Sequence, residues 1–301
     1  MIPYKIFQTH RFSWDELPAY ISAPINSWRE NNQEFEHRYF DQEMKDDFMS
    51  SFNHLDLKRA YFHPGTMRTA QADIFRACIL YEEGGVYADS DLMCTGSIPA
   101  HINMMADLCL EASLPSFFNQ MINSRNDISK KIKATKTILY NDNLSGTHGP
   151  FLQNHFFACA PKSRFLELAI DEIAKLCSEV IENSKHGHRS EIGVTETGPS
   201  TWGPAFLKLL QESNDETIKN ILIGSPSQAG LFLDIRGSGT WNDGPFTPAK
   251  IQSLPYLFQE MGQLSRTCVD NSNKNLGTIK FHLADGHGNT PYEGEFTHKH
   301  K

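Results

Sequence analysis

The sequence predicts a single α/β domain built on a central, mostly parallel sheet, with helical and loop insertions towards the carboxyl terminus. Three observations carry that expectation. Over the first hundred residues, short β-rich runs alternate with helical stretches, which is the rhythm of βαβ units. The 301 residues have room for one large α/β domain or two small ones, and a hydrophobic content of 39% is ample for a core. Residues 72–91 (ADIFRACILYEEGGVYADSD) read as helix, glycine stop and buried strand in direct succession.

Residues 2–9 (IPYKIFQT) read as the first strand, and residues 17–31 as a helix whose Trp28, after Ser27, belongs to the core. Residues 35–40 (FEHRYF) form the second strand; Asp41 then caps a helix with Asp46 and Asp47 on its solvated face. Residues 55–62 are a further helix or linker, broken by His63-Pro64-Gly65. The helix over 70–83 places Ile74, Ala77, Cys78 and Tyr81 at helical spacing. Gly84 and Gly85 stop it, and Val86 to Ala88 follow as a buried strand.

Residues 93–98 continue as exposed strand or turn ended by Pro99, and 103–114 are apolar enough for a strand. Lys130, Lys131, Lys133 and Lys136 cluster beside apolar residues, either as a solvated helix or as a face for anionic lipid or an anionic acceptor. Thr147 to Pro150 signal a loop, 154–160 a strand, 164–181 a helix, and His186, His188 and Arg189 a solvated loop. Residues 204–210 read as helix, and 221–225 and 230–234 as late strands. Residues 237–248 read as a glycine-rich loop, and 278–282 (TIKFH) as the last strand. No internal repeat appears.

The chemistry concentrates around residues 72–91. Asp73 and Arg76 lie three apart and share a helix face. Asp89 and Asp91 follow the strand, and strand alternation would point both one way and Ser90 the other. Paired carboxylates suit a hard divalent cation, Mn2+ or Mg2+, which typically binds one or two carboxylates plus substrate phosphates. One carboxylate can bind the metal while the other holds a metal-bound water or a ribose hydroxyl. The plain alternative is an Asp-rich surface turn.

Asp73, Arg76, Leu80, Tyr81, Gly84, Gly85, Tyr87, Asp89 and Asp91 together resemble the sugar-binding DXD region of glycosyltransferase family 32. That group includes yeast outer-chain mannosyltransferases, animal α1,4-galactosyl- and N-acetylglucosaminyltransferases and bacterial surface-polysaccharide enzymes. The glucosylating clostridial toxins share its core. The resemblance is close over residues 1–100 and scattered beyond. It implies a GT-A nucleotide-sugar-binding fold across residues 1–301, with 1–100 as the donor core and 101–301 as the acceptor side and carboxyl-terminal completion. It implies retaining, metal-dependent transfer from a nucleotide sugar, UDP before GDP, to a glycan acceptor that can be lipid-linked.

The resemblance also assigns roles. Asp73, Arg76, Asp89, Asp91 and Asn154 would act on the donor. Gln8, Thr9, Tyr87, Asp89 and Ser90 would face the nucleotide. Glu196, Thr197 and Gly198, followed by Pro199, match the family's acceptor-side element. Trp202 could stack on a sugar or be buried. The metal would take Asp89, Asp91 and His282, with Asp285 and His287 as competitors for the third place. Animal members have His-x-Trp where this chain has His282-Leu283-Ala284.

A net charge of −8 argues against a nucleic-acid partner. Six scattered cysteines without a CxxC spacing exclude a zinc site of that type and a disulfide framework, which suggests a reducing compartment. The first residues lack the pattern of a signal peptide, and no apolar run is long enough to span a membrane, so the expected location is cytoplasmic, at most peripheral to the membrane. Three rivals remain: a DxD phosphohydrolase, which usually carries its pair after the first strand; a carbohydrate- or nucleotide-binding protein without turnover; and a toxin-like protein glycosyltransferase.

Overall fold

The computed structural model describes residues 1–17, 19–112, 152–212, 220–224, 226–227, 229–234, 279–284 and 291–296. Nine elements carry the first half: β1 (Lys5–Thr9), α1 (Ala19–Asn31), β2 (Glu36–Phe40), α2 (Gln42–Ser51), α3 (Leu55–Tyr61), α4 (Arg68–Glu83), β3 (Gly85–Ala88), β4 (Leu92–Cys94) and α5 (Ile98–His101). The second half adds β5 (Leu108–Ala112), β6 (Leu152–Cys159), α6 (Arg164–Ser184), α7 (Val194–Thr197), α8 (Pro199–Glu212), β7 (Ile221–Gly224), β8 (Phe232–Asp234), β9 (Ile279–Ala284) and β10 (Pro291–Phe296).

Six strands form the central sheet in the order β2-β1-β3-β6-β5-β7. β1 is parallel to β2 and β3, β5 is parallel to β7, and β6 alone runs against its neighbours. The mostly parallel α/β class expected from the sequence is therefore observed. Small antiparallel pairs, β4 with β8 and β9 with β10, complete the described architecture. Among the described residues no helix is long and apolar enough to cross a membrane.

Strand alternation divides the core into two apolar clusters, one on each face of the sheet. Phe7, Tyr87, Phe157, Leu108 and Leu110 join one, beneath α2, α3, α4, α6 and α8. Ile6, Val86, Phe156, Ala158 and Cys109 join the other, with Trp28 of α1. Trp28 is fully buried, as expected, and its indole N–H donates to the Leu92 carbonyl at 2.7 Å. The neighbouring Ser27 Oγ accepts from Cys94 N at 2.8 Å, so α1 clamps the chain that leaves Asp91.

α4 ends where the sequence says it must. Gly84 adopts φ +62° and Gly85 φ +107°, conformations that side chains resist. A Cβ on Gly84 would lie 2.5 Å from Pro161 N and 2.9 Å from Cys159 O, so the turn also needs close backbone approach.

Several expectations require correction. Pro99 does not end a strand but sits in the first turn of α5, where its missing N–H costs nothing. α8 begins at Pro199 rather than Pro204, because proline is equally acceptable at a first helical position. Asp46 is half-buried rather than simply solvated, its Oδ1 accepting from Gln42 at 2.7 Å and from the Tyr61 hydroxyl at 2.8 Å, whereas Asp47 is exposed as expected. The run ending at His282 is not the last strand; β9 continues to Ala284 and pairs with β10, placing His282 opposite Glu293 inside a hairpin. The lysine cluster at 130–136, the loop at 147–150, the glycine-rich stretch at 237–248, Asp285 and His287 lie outside the described residues.

Gly84→Ala should lose about 1–3 kcal/mol of stability through the strained φ and the backbone clash. Urea unfolding measures this, and a variant as stable as the wild type contradicts the geometry.

Candidate active site

The site forms where β3 leaves the sheet. Tyr87 points to the face covered by α4, and α4 carries Asp73 and Arg76 on the side that looks back at it. Arg76 is the hub. Its Nη2 lies 2.9 Å from Asp89 Oδ1 and 3.2 Å from Asp73 Oδ1. Its Nη1 donates to the Asn154 carbonyl, and its guanidinium stands 4.8 Å from the centre of the Tyr87 ring. Burial works against the Arg76 charge, but Asp89, Tyr87 and Asp73 more than offset it and hold its pKa above the ordinary value.

Asp73 is fixed on every side. Asn154 Nδ2 donates to Oδ1 at 3.0 Å and Thr197 Oγ1 donates to Oδ2 at 2.9 Å. Asp89 Oδ1 also accepts from the Tyr87 hydroxyl at 3.1 Å, and its backbone N–H donates to the His155 carbonyl at 2.9 Å. Asn154 reaches this network for two reasons. β6 is antiparallel, so its beginning lies at the carboxyl end of β3. Strict alternation from Phe156 would still turn Asn154 to the opposite face. A register shift between Leu110, opposite Phe157, and Ala112, opposite Leu152, breaks the alternation and re-aims it.

Asp89 and Asp91 do not share a strand face. β3 stops at Ala88, and the Leu92 N–H donates to the Asp89 carbonyl at 3.1 Å, closing a turn over Asp89–Leu92. The turn is the correction to simple alternation. It leaves Asp89 beside Arg76, Ser90 half-buried at the tip and Asp91 only 7% exposed.

Gln8 and Thr9 lie at the carboxyl end of β1, but their polar groups are spent inside the protein. Thr9 donates to the Phe40 carbonyl at 2.7 Å. Gln8, 0% exposed, lies 2.7 Å from His37 Nε2 through Oε1 and 3.5 Å from the Asp89 carbonyl through Nε2. Burial, with Arg29, lowers the His37 pKa to about 4, so the neutral ring donates its Nε2 hydrogen to Gln8.

The element at 196–199 is structural in a specific way. Glu196 caps α7 by accepting from Gly193 N at 2.8 Å. Gly198 follows it, where a Cβ would meet Val194 O at 2.6 Å. Thr197, expected on the acceptor side, instead positions Asp73. Trp202 is 0% exposed, with ring centres 4.6 Å from Phe157 and 5.3 Å from Phe165, so it packs the core rather than stacking on a sugar.

Two carboxylates on one turn fit the mode in which a hard cation binds through one or two carboxylates and substrate phosphates. Asp89 has one oxygen committed to Arg76 and Tyr87. Among the described residues no three metal-ligating side chains converge. A separate open groove of about 710 Å³ between α3 and α6, lined by His54, Asp56, Asp171, Lys175, Glu179 and Glu182, gathers no comparable network.

Residues 18–109 match the family model described as a glycosyltransferase sugar-binding region containing DXD motif. No curated protein matches the sequence. Among solved structures the chain is similar to the PaToxG glycosyltransferase, with 14% identity over 86% of each chain and a TM-score of 0.36. It is also similar to the UDP-bound glycosyltransferase domain from the YGT toxin, with 9% identity over 88% of this chain and 91% of that one, at a TM-score of 0.43. A third is the catalytic domain of alpha-toxin from Clostridium novyi, with 10% identity over 87% of this chain and 82% of that one, at a TM-score of 0.41. The fold described above stands on sheet order and register, independently of these likenesses.

Burial pushes the Asp73 carboxyl from 3.8 up to about 6, against the pull of Arg76, Thr197 and Asn154. The folded state thus holds a proton that the unfolded chain has released. Between pH 3.8 and about 6 this group makes stability fall as pH rises, by at most about 1.4 kcal/mol per pH unit. Above that window the loss is complete. Asp73→Asn should lack this segment in urea unfolding between about pH 4 and pH 7. A wild-type-minus-variant difference that stays flat across the window contradicts the assignment.

Proposed function

We propose that this chain, a glycosyltransferase carrying the DXD sugar-binding region, moves a hexose from a nucleoside-diphosphate sugar to a glycan acceptor with a divalent cation. One observation carries the reading: the Asp73–Arg76–Asp89 network, buried and cross-braced, is joined through Asp89 to the Asp89–Leu92 turn that bears the second carboxylate. Such a cluster offers a carboxylate acceptor and a guanidinium donor side by side, the combination that grips sugar hydroxyls and fixes a pose. UDP is favoured over GDP on the resemblance alone, as are retention, a place in cytoplasmic surface-polysaccharide synthesis and the extent of the domain over residues 1–301.

Mn2+ or Mg2+ would be held by Asp91 and the uncommitted oxygen of Asp89, with His282 as the proposed third ligand. When bound, it supplies neutralisation of charge on the departing diphosphate. Arg76 fixes Asp89 within the turn, Asn154 and Thr197 fix Asp73, and Tyr87 closes the network from below. Asp73 and Asp89 are both paired to Arg76, so neither is at liberty to attack the sugar as a nucleophile. This favours a front-face route: the acceptor oxygen bonds to the anomeric carbon as the bond to the diphosphate breaks, and the leaving phosphate takes the acceptor's proton.

UDP should raise the unfolding free energy by about 2.7 kcal/mol at one hundred times its dissociation constant, only with Mn2+ or Mg2+ present. Equal stabilisation in EDTA rejects the metal-bridged site. Asp91→Asn should abolish transfer while leaving the melting temperature near that of the wild type, because the amide keeps the volume and is a poor ligand for a hard cation. Activity retained in that variant removes Asp91 from the machinery.

A further inference from the structure

α2 buries a lysine. Lys45 and Met49 are its buried residues, one turn apart, yet Met49 joins the apolar core while Lys45, a residue only 3% exposed, ends in an ammonium. Among the described residues no hydrogen bond or ion pair holds that ammonium; its interactions are through space, with Asp46, Arg68, Asp41 and Arg76. Each acid has one carboxylate oxygen engaged elsewhere. Asp41 accepts from Met44 N at 2.9 Å, and Asp46 accepts from Gln42 and Tyr61. A largely buried cation with no direct partner is costly, and an anion would relieve that cost.

Other unmet groups lie on α2 and on α4, whose Arg68 and Arg76 act on Lys45 through space. Arg76 Nε, Thr69 Oγ1 and Gln42 Oε1 are all buried without a hydrogen-bond partner. Thr69, Asp73 and Arg76 follow one another on a single face of α4, and Gln42 lies one turn before Lys45 on α2. Exposed Arg68 sits at the start of α4, where its Nη1 donates to Gln71 Oε1 at 3.0 Å. Of the three unpartnered atoms, a guanidinium N–H and a hydroxyl can donate and one amide oxygen accepts, and the charges of Lys45 and Arg68 add to the donor side, with Asp46 and Asp41 acting on Lys45 through space.

We propose that Lys45, with Arg68, Thr69 and the Nε of Arg76, forms an oxyanion subsite adjoining the Asp73–Arg76 pair, and that it takes a carboxylate or phosphate carried by a sugar substrate. That the oxyanion rides on a sugar rests on the glycosyltransferase reading; that the subsite takes an oxyanion does not. Two sources share this chemistry, a uronate on the donor sugar and a phosphate on the acceptor. The pKa of Lys45 falls to about 8, by burial first, which leaves the amine charged at neutral pH and ready to pair.

Lys45→Met keeps the side-chain length and removes the charge. Without ligand it should melt above the wild type, and inorganic phosphate should stabilise the wild type but not the variant. Arg68→Gln, at an exposed position, should reduce the phosphate response and decides the matter if the first variant does not fold. A phosphate response unchanged in both variants overturns the subsite. Titration with UDP-glucuronate and UDP-glucose, each with Mn2+, separates the sources. A loss of about tenfold for UDP-glucuronate alone places the carboxylate on the donor. Loss of the phosphate response with both donors unaffected places the anion on the acceptor. Equal weakening of both donors overturns the proposal, because Lys45 would then serve the nucleotide they share. Lys45-dependent phosphate binding by a wild type that binds neither donor upholds the subsite and rejects the nucleotide-sugar reading instead.

Discussion

A guanidinium buried between two carboxylates sets the positions of the elements around it. Arg76 touches Asp73, Asp89 and the Asn154 carbonyl, and so ties together α4, the end of β3 and the start of β6. A buried charge is tolerated only when paired and hydrogen-bonded, so every element carrying a partner must arrive in register. The two glycines let β3 turn back directly beneath α4. The irregularity in β6 turns Asn154 inward. α7 delivers Thr197 to the far oxygen of Asp73. α1, from the other face of the sheet, clamps the chain just beyond Asp91 through Ser27 and Trp28.

Much of the scaffold was legible in the sequence because its signals are local. Helix period, the Gly84-Gly85 stop and the buried run after it place α4 and β3 without knowledge of any distant residue. Asp41 announces the start of α2, and its carboxylate does accept from Met44 N. Asp73 and Arg76, three apart, were bound to share a face, and both look into the site. What the sequence does not carry is long-range. Nothing local says that β6 runs against the sheet or breaks its alternation. The turn at Asp89 ends a strand pattern one residue before the pair it was expected to orient. Trp202 is apolar and aromatic in either role, and only the packing of Phe157 and Phe165 against it decides for the core.

The same limit hid Lys45. In sequence it is one lysine among acidic and polar neighbours, and helical period alone puts it on the Met49 face without warning that the face is closed. Thr197 was noticed for the wrong reason. Its place in a glycine-proline element suggested the acceptor, whereas its hydroxyl holds a carboxylate that is distant in sequence and adjacent in space. Positioning residues of this kind leave no motif of their own, because their role is set by the partner they reach. The division of labour that results is simple. In the function proposed above, the braced network would grip the sugar, the short turn would present Asp91, and the groups beside Arg76 would receive an anion.

In the proposed function the Arg76 network holds the sugar of a nucleotide-sugar donor while Asp91 faces the cation. A crystal structure with UDP-glucose and Mn2+, recorded with anomalous scattering from manganese, tests it most directly. The expected result is a manganese peak in contact with the Asp91 carboxylate and sugar hydroxyls within hydrogen-bond distance of Asp73 and Arg76. Manganese away from the Asp89–Leu92 turn, or a sugar that touches neither Asp73 nor Arg76, contradicts it.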